Sequence, residues 1–289
     1  MTTKTGERVA AVWPFMFPFA VPTGARARGD RAGRVIAVCS SKGGVGKTTT
    51  AVNLAAALSL DEALRVLVAD IDPQGHTSAC LEALVRDEGG SVADALSRRG
   101  ADLSDAVHPT KRPNFDVAPA GADLQAAESG LATRIGRETV LRGLLETCRT
   151  HYDYVLLDCP PGMSLLAVGA LVAADAVLVP CEPTPLAVSA IETLLRSLAD
   201  VRERLNPSLR LLGVLMTRVD GRNTRQNREA LDVLRAGVGD FVFTTMIGVS
   251  TELARARTSG MPTVLHAPRS RGAEQYTSLA AEVRKRLEE

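Results

Sequence analysis

Residues 42–49 read Lys-Gly-Gly-Val-Gly-Lys-Thr-Thr, which is the composition and spacing of a phosphate-binding loop. Glycines let backbone N–H groups turn toward a phosphate without a clash from a Cβ atom. In this pattern Lys47 reaches the β- and γ-phosphates of a nucleotide, and Thr48 places its hydroxyl on Mg²⁺. The candidate nucleotide-binding residues of the loop are Lys42, Gly43, Gly44, Val45, Gly46, Lys47, Thr48 and Thr49.

The first lysine of the loop, Lys42, is unusual because the loop needs only Lys47 for its own nucleotide. A second lysine at the mouth of the loop cannot easily reach the same phosphates from its own chain. It can reach a nucleotide bound by a facing subunit, whereas the ordinary alternative is a solvated surface lysine. Lys42 is therefore a candidate catalytic residue that acts across a subunit interface.

Two apolar runs, residues 65–70 and 154–158, end in aspartates that can complete such a site. Both runs are short and rich in Val and Leu, as expected of buried parallel strands. Ligands of open α/β sheets bind beyond the carboxyl ends of the strands. Asp158 is therefore a candidate metal ligand together with Thr48, and Asp72 is a candidate for metal binding and for orienting the attacking water. The alternative for each aspartate is a cap on a turn or on a following helix.

Hydrophobic periodicity predicts the elements that position these residues. It predicts strands at residues 34–39, 65–70, 115–119, 154–158, 176–180, 211–216 and 241–246. It predicts helices at residues 49–60, 134–152, 164–173, 186–205, 224–235 and 276–289. The predicted fold is α/β, a doubly wound, mostly parallel sheet with helices on both faces, in one domain that spans residues 34–289.

Composition narrows the class of protein. The 289 residues carry a net charge of +1, with 45% hydrophobic and 23% charged residues, which is ordinary for a globular domain. No run of 18 apolar residues occurs, so we expect no transmembrane segment. The five cysteines are odd in number and lack CxxC spacing, which indicates reduced, mostly buried thiols in the cytosol.

Positive charge is concentrated in the C-terminal third, because residues 201–289 carry 15 Lys and Arg against 10 Asp and Glu. Arginines that neutralise phosphates bind DNA without reading its sequence. The alternative is an ordinary solvated helix face. The candidate DNA-binding residues are Arg222, Arg225, Arg228, Arg255 and Arg257.

Three segments resemble motifs of the ParA/MinD family of P-loop ATPases, and most closely of its ParA/Soj-type members. Residues 42–49 resemble the deviant Walker A loop, residues 70–75 switch I and residues 158–162 Walker B. The resemblance implies ATP and Mg²⁺ as cofactors and a nucleotide-sandwich homodimer. In that dimer Lys42 contacts the phosphates of the partner, and Asp72 supports slow hydrolysis.

The resemblance extends to residues 213–220, which are similar to the strand and loop near the nucleotide base, so Thr217 and Arg218 are further candidate nucleotide-binding residues. One segment departs from the family pattern Ile-Pro-Arg-Asn-Val-Arg-Leu. Here Val249 and Glu252 replace both of its basic residues, and Arg255 and Arg257 follow later. The departure leaves the exact DNA-contacting arginines open.

The resemblance implies an ATP-dependent dimerising switch in the cytoplasm, associated with the nucleoid. Such a switch binds double-stranded DNA nonspecifically and positions a chromosome, a plasmid or a protein cluster. A ParB-like or other adaptor protein stimulates its weak intrinsic hydrolysis. The alternatives are a MinD-like membrane-cycling ATPase, a redox or metal carrier of the same superfamily, and a metabolic ligase-type enzyme. No amphipathic membrane-targeting tail follows the last predicted helix, which weighs against the MinD-like alternative.

Residues 1–33 differ in composition from the rest of the chain. Residues 12–20 hold the only Trp and three of the six Phe, and a small, basic linker follows them. Prolines at positions 14, 18 and 22 argue against a regular helix. Three interpretations stay open: a flexible tail that docks an adaptor, a segment that packs on the domain or precedes the true start, and a membrane contact.

Overall fold

The structure of the chain, a computed structural model, describes residues 32–86 and 89–289, with the backbone alone for residues 185–189. The predicted tail therefore lies almost wholly outside the described residues. The interpretations of its aromatic segment stay predictions.

One sheet of seven strands organises the described chain. The strands are β1 (Arg34–Val38), β2 (Val66–Asp70), β3 (His108–Pro109), β4 (Phe115–Ala118), β5 (Tyr154–Asp158), β6 (Ala176–Cys181) and β7 (Arg210–Met216). Their spatial order is β3-β4-β2-β5-β1-β6-β7. All neighbours are parallel except β3 and β4. The predicted doubly wound, mostly parallel fold is confirmed, and the strand order changes direction at β1, where such sheets bind ligands.

Twelve α-helices connect or cover these strands in the described residues. They are α1 (Lys47–Leu58), α2 (His76–Leu81), α3 (Val92–Ser97), α4 (Leu124–Leu131), α5 (Val140–Leu144), α6 (Cys148–His151), α7 (Leu165–Ala173), α8 (Pro185–Arg204), α9 (Thr224–Val238), α10 (Thr251–Thr258), α11 (Thr263–His266) and α12 (Arg271–Glu288). Short 3₁₀ helices cover Leu103–Ala106, Arg137–Thr139 and Gly239–Phe241.

The two faces of the sheet form two separate apolar cores, because successive side chains of a strand point to opposite faces. Val35 and Ala37 of β1 pack with α7, α8 and α9 on one face. Ile36 and Val38 pack with α1 and α12 on the other face. The predicted apolar stripe of the last helix is buried there, as expected: Tyr276, Leu279, Ala280, Val283 and Leu287.

The prediction of one continuous helix over residues 134–152 is wrong. Gly136 adopts φ 70°, and the chain then forms a 3₁₀ turn, α5 and the single-turn α6 instead. Gly143 lies inside this stretch. Glycine in a helix interior is less favourable than alanine by about 1 kcal/mol. Tertiary packing of Leu141, Leu144 and Cys148 on the core sets the path of the chain here rather than helix propensity.

The prediction of a strand over residues 241–246 is also wrong. Val242 makes one isolated parallel bridge to Val214 of β7. The N–H groups of Thr244 and Thr245 donate to the Glu282 carboxylate of α12, at 2.9 and 3.0 Å. A side chain therefore takes the hydrogen bonds that a neighbouring strand would have used.

Candidate functional site

The loop between β1 and α1 has the backbone of a phosphate cradle. Gly44 and Gly46 lie in the left-handed region at φ 78° and 89°, which an L side chain rarely adopts. A Cβ atom at either position would point into open space. Gly46 immediately precedes α1, so the positive end of a twelve-residue helix closes the cradle. Lys47, the first helical residue, is buried and 7% exposed.

The aspartates at the ends of β2 and β5 lie side by side. Asp70 and Asp158 are partners in the strand register, and both are fully buried. Thr77 of α2 joins them: its hydroxyl donates to Asp158 Oδ2 at 2.9 Å and its N–H donates to Asp70 Oδ2 at 3.0 Å. Sequence reasoning missed Thr77. Its signal was a hydroxyl in the first turn of the helix that follows the Asp-Pro-Gln-Gly loop.

The electrostatics of this pair favour a bound cation. Burial raises the pKa of Asp158 to about 6, although the hydroxyls of Thr48 and Thr77 and the charge of Lys47 act in the opposite direction. Burial and the charge of Asp158 hold the pKa of Asp70 well above its ordinary range. Both carboxyls are desolvated, and the charge of Lys47 acts on Asp158, so a further positive charge would stabilise the ionised forms.

One buried oxygen at this point has no partner. In the described part of the chain, no group donates a hydrogen bond to Asp158 Oδ1. An unsatisfied buried acceptor is costly unless something else binds it. Mg²⁺ is held in nucleotide sites by one or two carboxylates together with phosphate oxygens and water. Asp158, with the Thr48 hydroxyl nearby, therefore fits a Mg²⁺ ion that arrives with a nucleotide.

Asp72 lies just beyond the end of β2 and is 6% exposed. Its Oδ1 atom accepts the N–H of Gln74 at 3.0 Å, and its own N–H donates to Asp70 Oδ1 at 3.0 Å. The carbonyl of Asp72 accepts the N–H of Gly75, which has φ 63°. A tight turn therefore fixes the carboxylate on the same edge of the sheet as Asp158.

Thr217 and Arg218 follow β7 and contact the backbone of the phosphate loop. The Thr217 hydroxyl donates to the carbonyl of Val45 at 2.8 Å. The Arg218 guanidinium donates to the carbonyl of Gly44 at 3.2 Å and pairs with Glu182 at 2.9 Å. Arg218 also has φ 53°, the one positive φ of a non-glycine residue in the described chain. Backbone strain of this kind accumulates at functional sites.

Lys42 stands at the open side of the same loop. Its side chain is partly exposed, and its backbone N–H lies 3.5 Å from the Ser40 hydroxyl. Within the described ranges its ammonium group forms no salt bridge. The loop therefore offers one buried lysine inside the cradle and one uncompensated lysine at its mouth.

The five predicted DNA-contacting arginines are all exposed, but three pair with neighbouring acids. Arg222 pairs with Asp220 at 2.8 Å, Arg225 with Glu229 at 2.8 Å and Arg255 with Glu252 at 2.7 Å. Arg228 and Arg257 form no salt bridge with the residues that the structure describes.

The helices that carry these arginines pack on opposite faces of the sheet. Arg222, Arg225 and Arg228 lie on or just before α9, which packs on the face of Val35 and Ala37. Arg255 and Arg257 lie on α10, which contacts α2 and packs Leu253 on the opposite face. The predicted arginines therefore form two groups, one on or just before α9 and one on α10.

Other kinds of site are less well supported. All five cysteines are free and buried. Among the residues that the structure describes, no three His, Cys, Asp or Glu side chains are arranged to hold a metal ion by themselves. A search of the described helices finds none long and apolar enough to cross a membrane.

Comparison with known proteins identifies the family of the chain. Residues 33–211 match the family model described as "AAA domain". The sporulation initiation inhibitor protein Soj of Bacillus subtilis is 40% identical over 251 residues, which is 87% of this chain and 98% of Soj. The chromosome partitioning protein ParA of Caulobacter vibrioides is 40% identical over 252 residues, which is 86% of this chain and 93% of that protein.

A solved structure with a similar fold contains the expected ligands. It is a cobyrinic acid a,c-diamide synthase from Mycobacterium smegmatis with a bound ATP analogue and magnesium, at 33% identity and a TM-score of 0.72. The match covers 86% of this chain and 93% of that one. The cradle, the buried lysine and the orphaned carboxylate oxygen described above suit the same ligands. The chain is an ATPase that uses ATP and Mg²⁺, and it belongs to the ParA/MinD family of P-loop ATPases.

Proposed function

We propose that this ATPase is a dimerising switch that holds DNA nonspecifically while ATP is bound and releases it after hydrolysis. The observation that carries the proposal is the pair of lysines in the phosphate loop. Lys47 is buried inside the cradle, whereas Lys42 is partly exposed at its mouth and has no acidic partner in the described chain. A relative at 40% identity is a chromosome partitioning protein, which supports a role in positioning a cargo.

Within one subunit, each residue of the site has a distinct task. Lys47 binds the β- and γ-phosphates, and Thr48 and Asp158 hold the metal side of the site. Bound Mg²⁺ neutralises the charge that develops on the phosphates. Asp72, fixed by its turn, also helps to hold the metal and orients the water that attacks the γ-phosphate. Because the protein contributes mainly position and charge, we expect a slow intrinsic rate.

Two subunits then close around their nucleotides. Lys42 of each subunit reaches the phosphates held by its partner, so the closed state is stable only with a triphosphate. Thr217 and Arg218 hold the carbonyls of Val45 and Gly44, which keeps the loop in the shape that this contact needs. Removal of the γ-phosphate loosens the interface.

The arginine group on α10 is well placed to respond to the nucleotide. The charge of Arg257 reaches Cys80 of α2, where it lowers a thiol pKa that burial raises. The N–H of Ala83, just after α2, donates to the carbonyl of Gly260 at 3.0 Å. Because α2 follows the Asp72 loop directly, a change at that loop shifts the helix beside α10. The α9 arginines supply a second set of phosphate contacts.

The remaining parts of the proposal concern partners. An adaptor of the ParB type, acting through residues 1–33, stimulates hydrolysis and couples the switch to a chromosome, a plasmid or a protein cluster. Work of this kind takes place in the cytoplasm on nucleoid DNA. The similarity to a sporulation initiation inhibitor and to a chromosome partitioning protein supports a role in positioning a cargo.

Light scattering after gel filtration tests the dimer step. We expect the wild-type chain to double its mass with a slowly hydrolysed ATP analogue and Mg²⁺, and to stay monomeric with ADP. Lys42→Ala should bind the analogue and stay monomeric, whereas Lys285→Ala, a change of the same charge on α12, should dimerise normally. A Lys42→Ala variant that dimerises like the wild type would refute the cross-subunit role.

A second candidate function comes from the fold match to an amide-forming enzyme. A ligase of that type turns over ATP only when a carboxylic acid and an amide donor are present. ATP turnover that depends on such substrates and ignores DNA would favour this candidate. Turnover that rises with DNA and an adaptor would exclude it.

A further inference from the structure

An open pocket lies where two short helices end beside a third. It has a volume of about 930 Å³ and is bounded by the C-terminal end of α3, the turn after α4 and the helix α5. Leu96, Leu131 and Leu144 of these helices are buried in the core on the face of Val35 and Ala37. The pocket therefore has a fixed framework, and none of the residues that line it belongs to the ATP site.

The pocket is cationic. Arg98, Arg99 and Arg134 line it, and none of the described residues that line it is acidic. Arg98 and Arg134 donate to the backbone carbonyls of Asp94 and Ser97, at 3.4 and 3.0 Å. Within residues 32–86 and 89–289, none of the three arginines forms a salt bridge. A guanidinium has five N–H donors, so each arginine keeps donors for an anion that enters the pocket.

The acidic residues of the surrounding elements have partners elsewhere. On α3, the Asp94 carboxylate accepts the N–H of Ser91 at 2.9 Å and completes the cap of its own helix. On α4, the Glu128 carboxylate accepts the N–H of Leu166 at 3.1 Å. In the 3₁₀ turn before α5, Glu138 pairs with the arginine that precedes it at 3.0 Å. These carboxylates are therefore engaged, and the charge of the pocket is complementary to an anion from outside the described chain.

An apolar patch adjoins the arginines. Ile135 is 104% exposed, more than any other large apolar side chain of the described residues, and the half-buried Val140 lines the same pocket. The turn that carries Ile135 is held on both sides, because the N–H of Arg134 donates to the carbonyl of Leu131 at 2.9 Å and Gly136 follows at φ 70°. One exposed apolar side chain is ordinary on a surface. An isoleucine fixed between unpaired guanidinium groups, however, offers an anchor point for a partner.

This combination favours an acidic protein segment over nucleic acid. Guanidinium groups bind carboxylates through paired N–H bonds, and they bind the phosphates of a duplex equally well. The phosphate backbone of a duplex, however, has no large apolar side chain with which to cover Ile135. A protein segment can present acids and an apolar side chain together, and arginine clusters recognise acidic motifs of this kind.

We propose that this pocket docks a segment of a partner protein in which acidic side chains flank one large apolar side chain. The acids pair with Arg98, Arg99 and Arg134, and the apolar side chain covers Ile135 and Val140. Arginine is enriched at protein interfaces, and a contact with an apolar centre and a charged rim is typical of them. The docking site is independent of the proposed DNA switch, whose arginines lie on or just before α9 and on α10.

A synthetic peptide tests both parts of the pocket. The probe has a central leucine, three acidic residues on each side and a fluorescein label, and its anisotropy is measured with the full-length chain. We expect saturable binding that weakens at least about tenfold with Arg99→Glu, because a like charge then faces the acids. Ile135→Ser should weaken binding several-fold through the loss of apolar contact. Arg196→Glu, at an exposed position of α8 that does not line the pocket, should leave the affinity unchanged.

A second peptide, with serine in place of the leucine, separates the apolar contact from the charges. It should bind the wild-type chain more weakly and should be insensitive to Ile135→Ser. If Ile135→Ser affects both peptides equally, the apolar part of the proposal is wrong. An unchanged midpoint of thermal unfolding shows that each variant is folded.

Three further outcomes overturn the proposal. The absence of saturable binding of the leucine peptide shows that the pocket holds no acidic segment. Equal losses from Arg99→Glu and Arg196→Glu show attraction by net charge alone. A DNA duplex that displaces the peptide, and whose own binding is weakened by Arg99→Glu but not by Ile135→Ser, assigns the three arginines to DNA phosphates.

Discussion

The phosphate-loop end of the sheet and the two arginine helices differ in how their residues are held. At the loop, contacts join residues far apart in sequence, such as Thr77 with Asp158 and Thr217 with Val45. On or just before the helices, three of the five arginines pair with acids two to four positions away. The first region is built by the fold as a whole, whereas the second is an exposed surface held by local pairs.

This difference determines how strongly each region restricts what can bind to it. A buried carboxyl with an orphaned oxygen restricts what can bind beside it, because few partners offset its desolvation. An exposed guanidinium is compatible with water, a neighbouring acid or a phosphate at little cost. The interior of the ATP site therefore selects its ligand, whereas the exposed arginines do not select between water, acids and phosphates.

The largest effect that separates the two regions is expected from Asp72→Asn. The substitution removes the carboxylate that we propose orients the water, and it keeps the size of the side chain. ATP binding should persist while hydrolysis falls by about 10²–10⁴-fold, measured as single-turnover phosphate release. Asp232→Asn on the exposed part of α9 is the matched control and should hydrolyse ATP normally. Wild-type turnover by Asp72→Asn would remove this residue from the mechanism.

The second-largest effect on ATP turnover is expected from Lys47→Ala. The loss of a positive charge inside the cradle is expected to lower kcat/KM for ATP by about 10²–10³-fold, together with nucleotide affinity. Lys42→Ala should retain ATP affinity in the monomer, so isothermal titration of both variants distinguishes the two lysines. Equal affinities in the two variants would contradict the division of labour between them.

Asp158→Asn tests the electrostatics of the site in the protein without nucleotide. The folded-state pKa is raised to about 6, so the stability linked to this group is present below its unfolded value and is lost as pH rises through about 6. Removing the charge should therefore stabilise the fold above about pH 7 by up to about 3 kcal/mol. The gain should vanish below about pH 4, although ATPase activity is lost throughout.

Urea unfolding of Asp158→Asn and wild type across this pH range checks the sign. A gain that does not change with pH would show that the effect comes from packing and not from ionisation. Asp232→Asn is again the control, because its carboxyl is exposed.

The smallest effects are expected on the arginine helices. Arg228→Ala and Arg257→Ala should each weaken DNA binding several-fold. Each should also lower the magnitude of the slope of the logarithm of affinity against the logarithm of salt concentration by about the amount expected for one phosphate contact. Arg225→Ala should do less, because Glu229 already holds that guanidinium. Fluorescence anisotropy over a salt series measures all three. A larger loss from Arg225→Ala than from Arg228→Ala would show that the local pairs break on DNA.

The sequence predicted the fold and the phosphate loop well for a physical reason. Buried parallel strands are continuous apolar runs, and residues 42–49 need glycine wherever the backbone is left-handed, so both are visible as patterns. The strand at 241–246 was wrongly predicted because the Glu282 side chain, distant in sequence, takes its hydrogen bonds. The packing of α9 and α10 on opposite faces depends on which core each helix covers, and local spacing does not contain that information.

Within the site, the roles assigned to Lys42, Asp72 and Asp158 stay predictions, and the structure adds Thr77 to them. The hydroxyl of Thr77 in the first turn after the Asp-Pro-Gln-Gly loop was its one sequence signal, but its two acceptors, Asp70 and Asp158, lie on different strands and meet only after the sheet has formed. The contact of Thr217 with the carbonyl of Val45 likewise joins residues that are distant in sequence and meet only in the folded sheet.

Binding to nonspecific duplex DNA with ATP, with ADP and without nucleotide, over a series of salt concentrations, tests the central claim most directly. The switch predicts binding only with ATP and Mg²⁺, with a steep loss of affinity as salt rises, and no binding by Lys42→Ala. Equal binding in all nucleotide states, or none in any state, would contradict a DNA switch controlled by the phosphate loop.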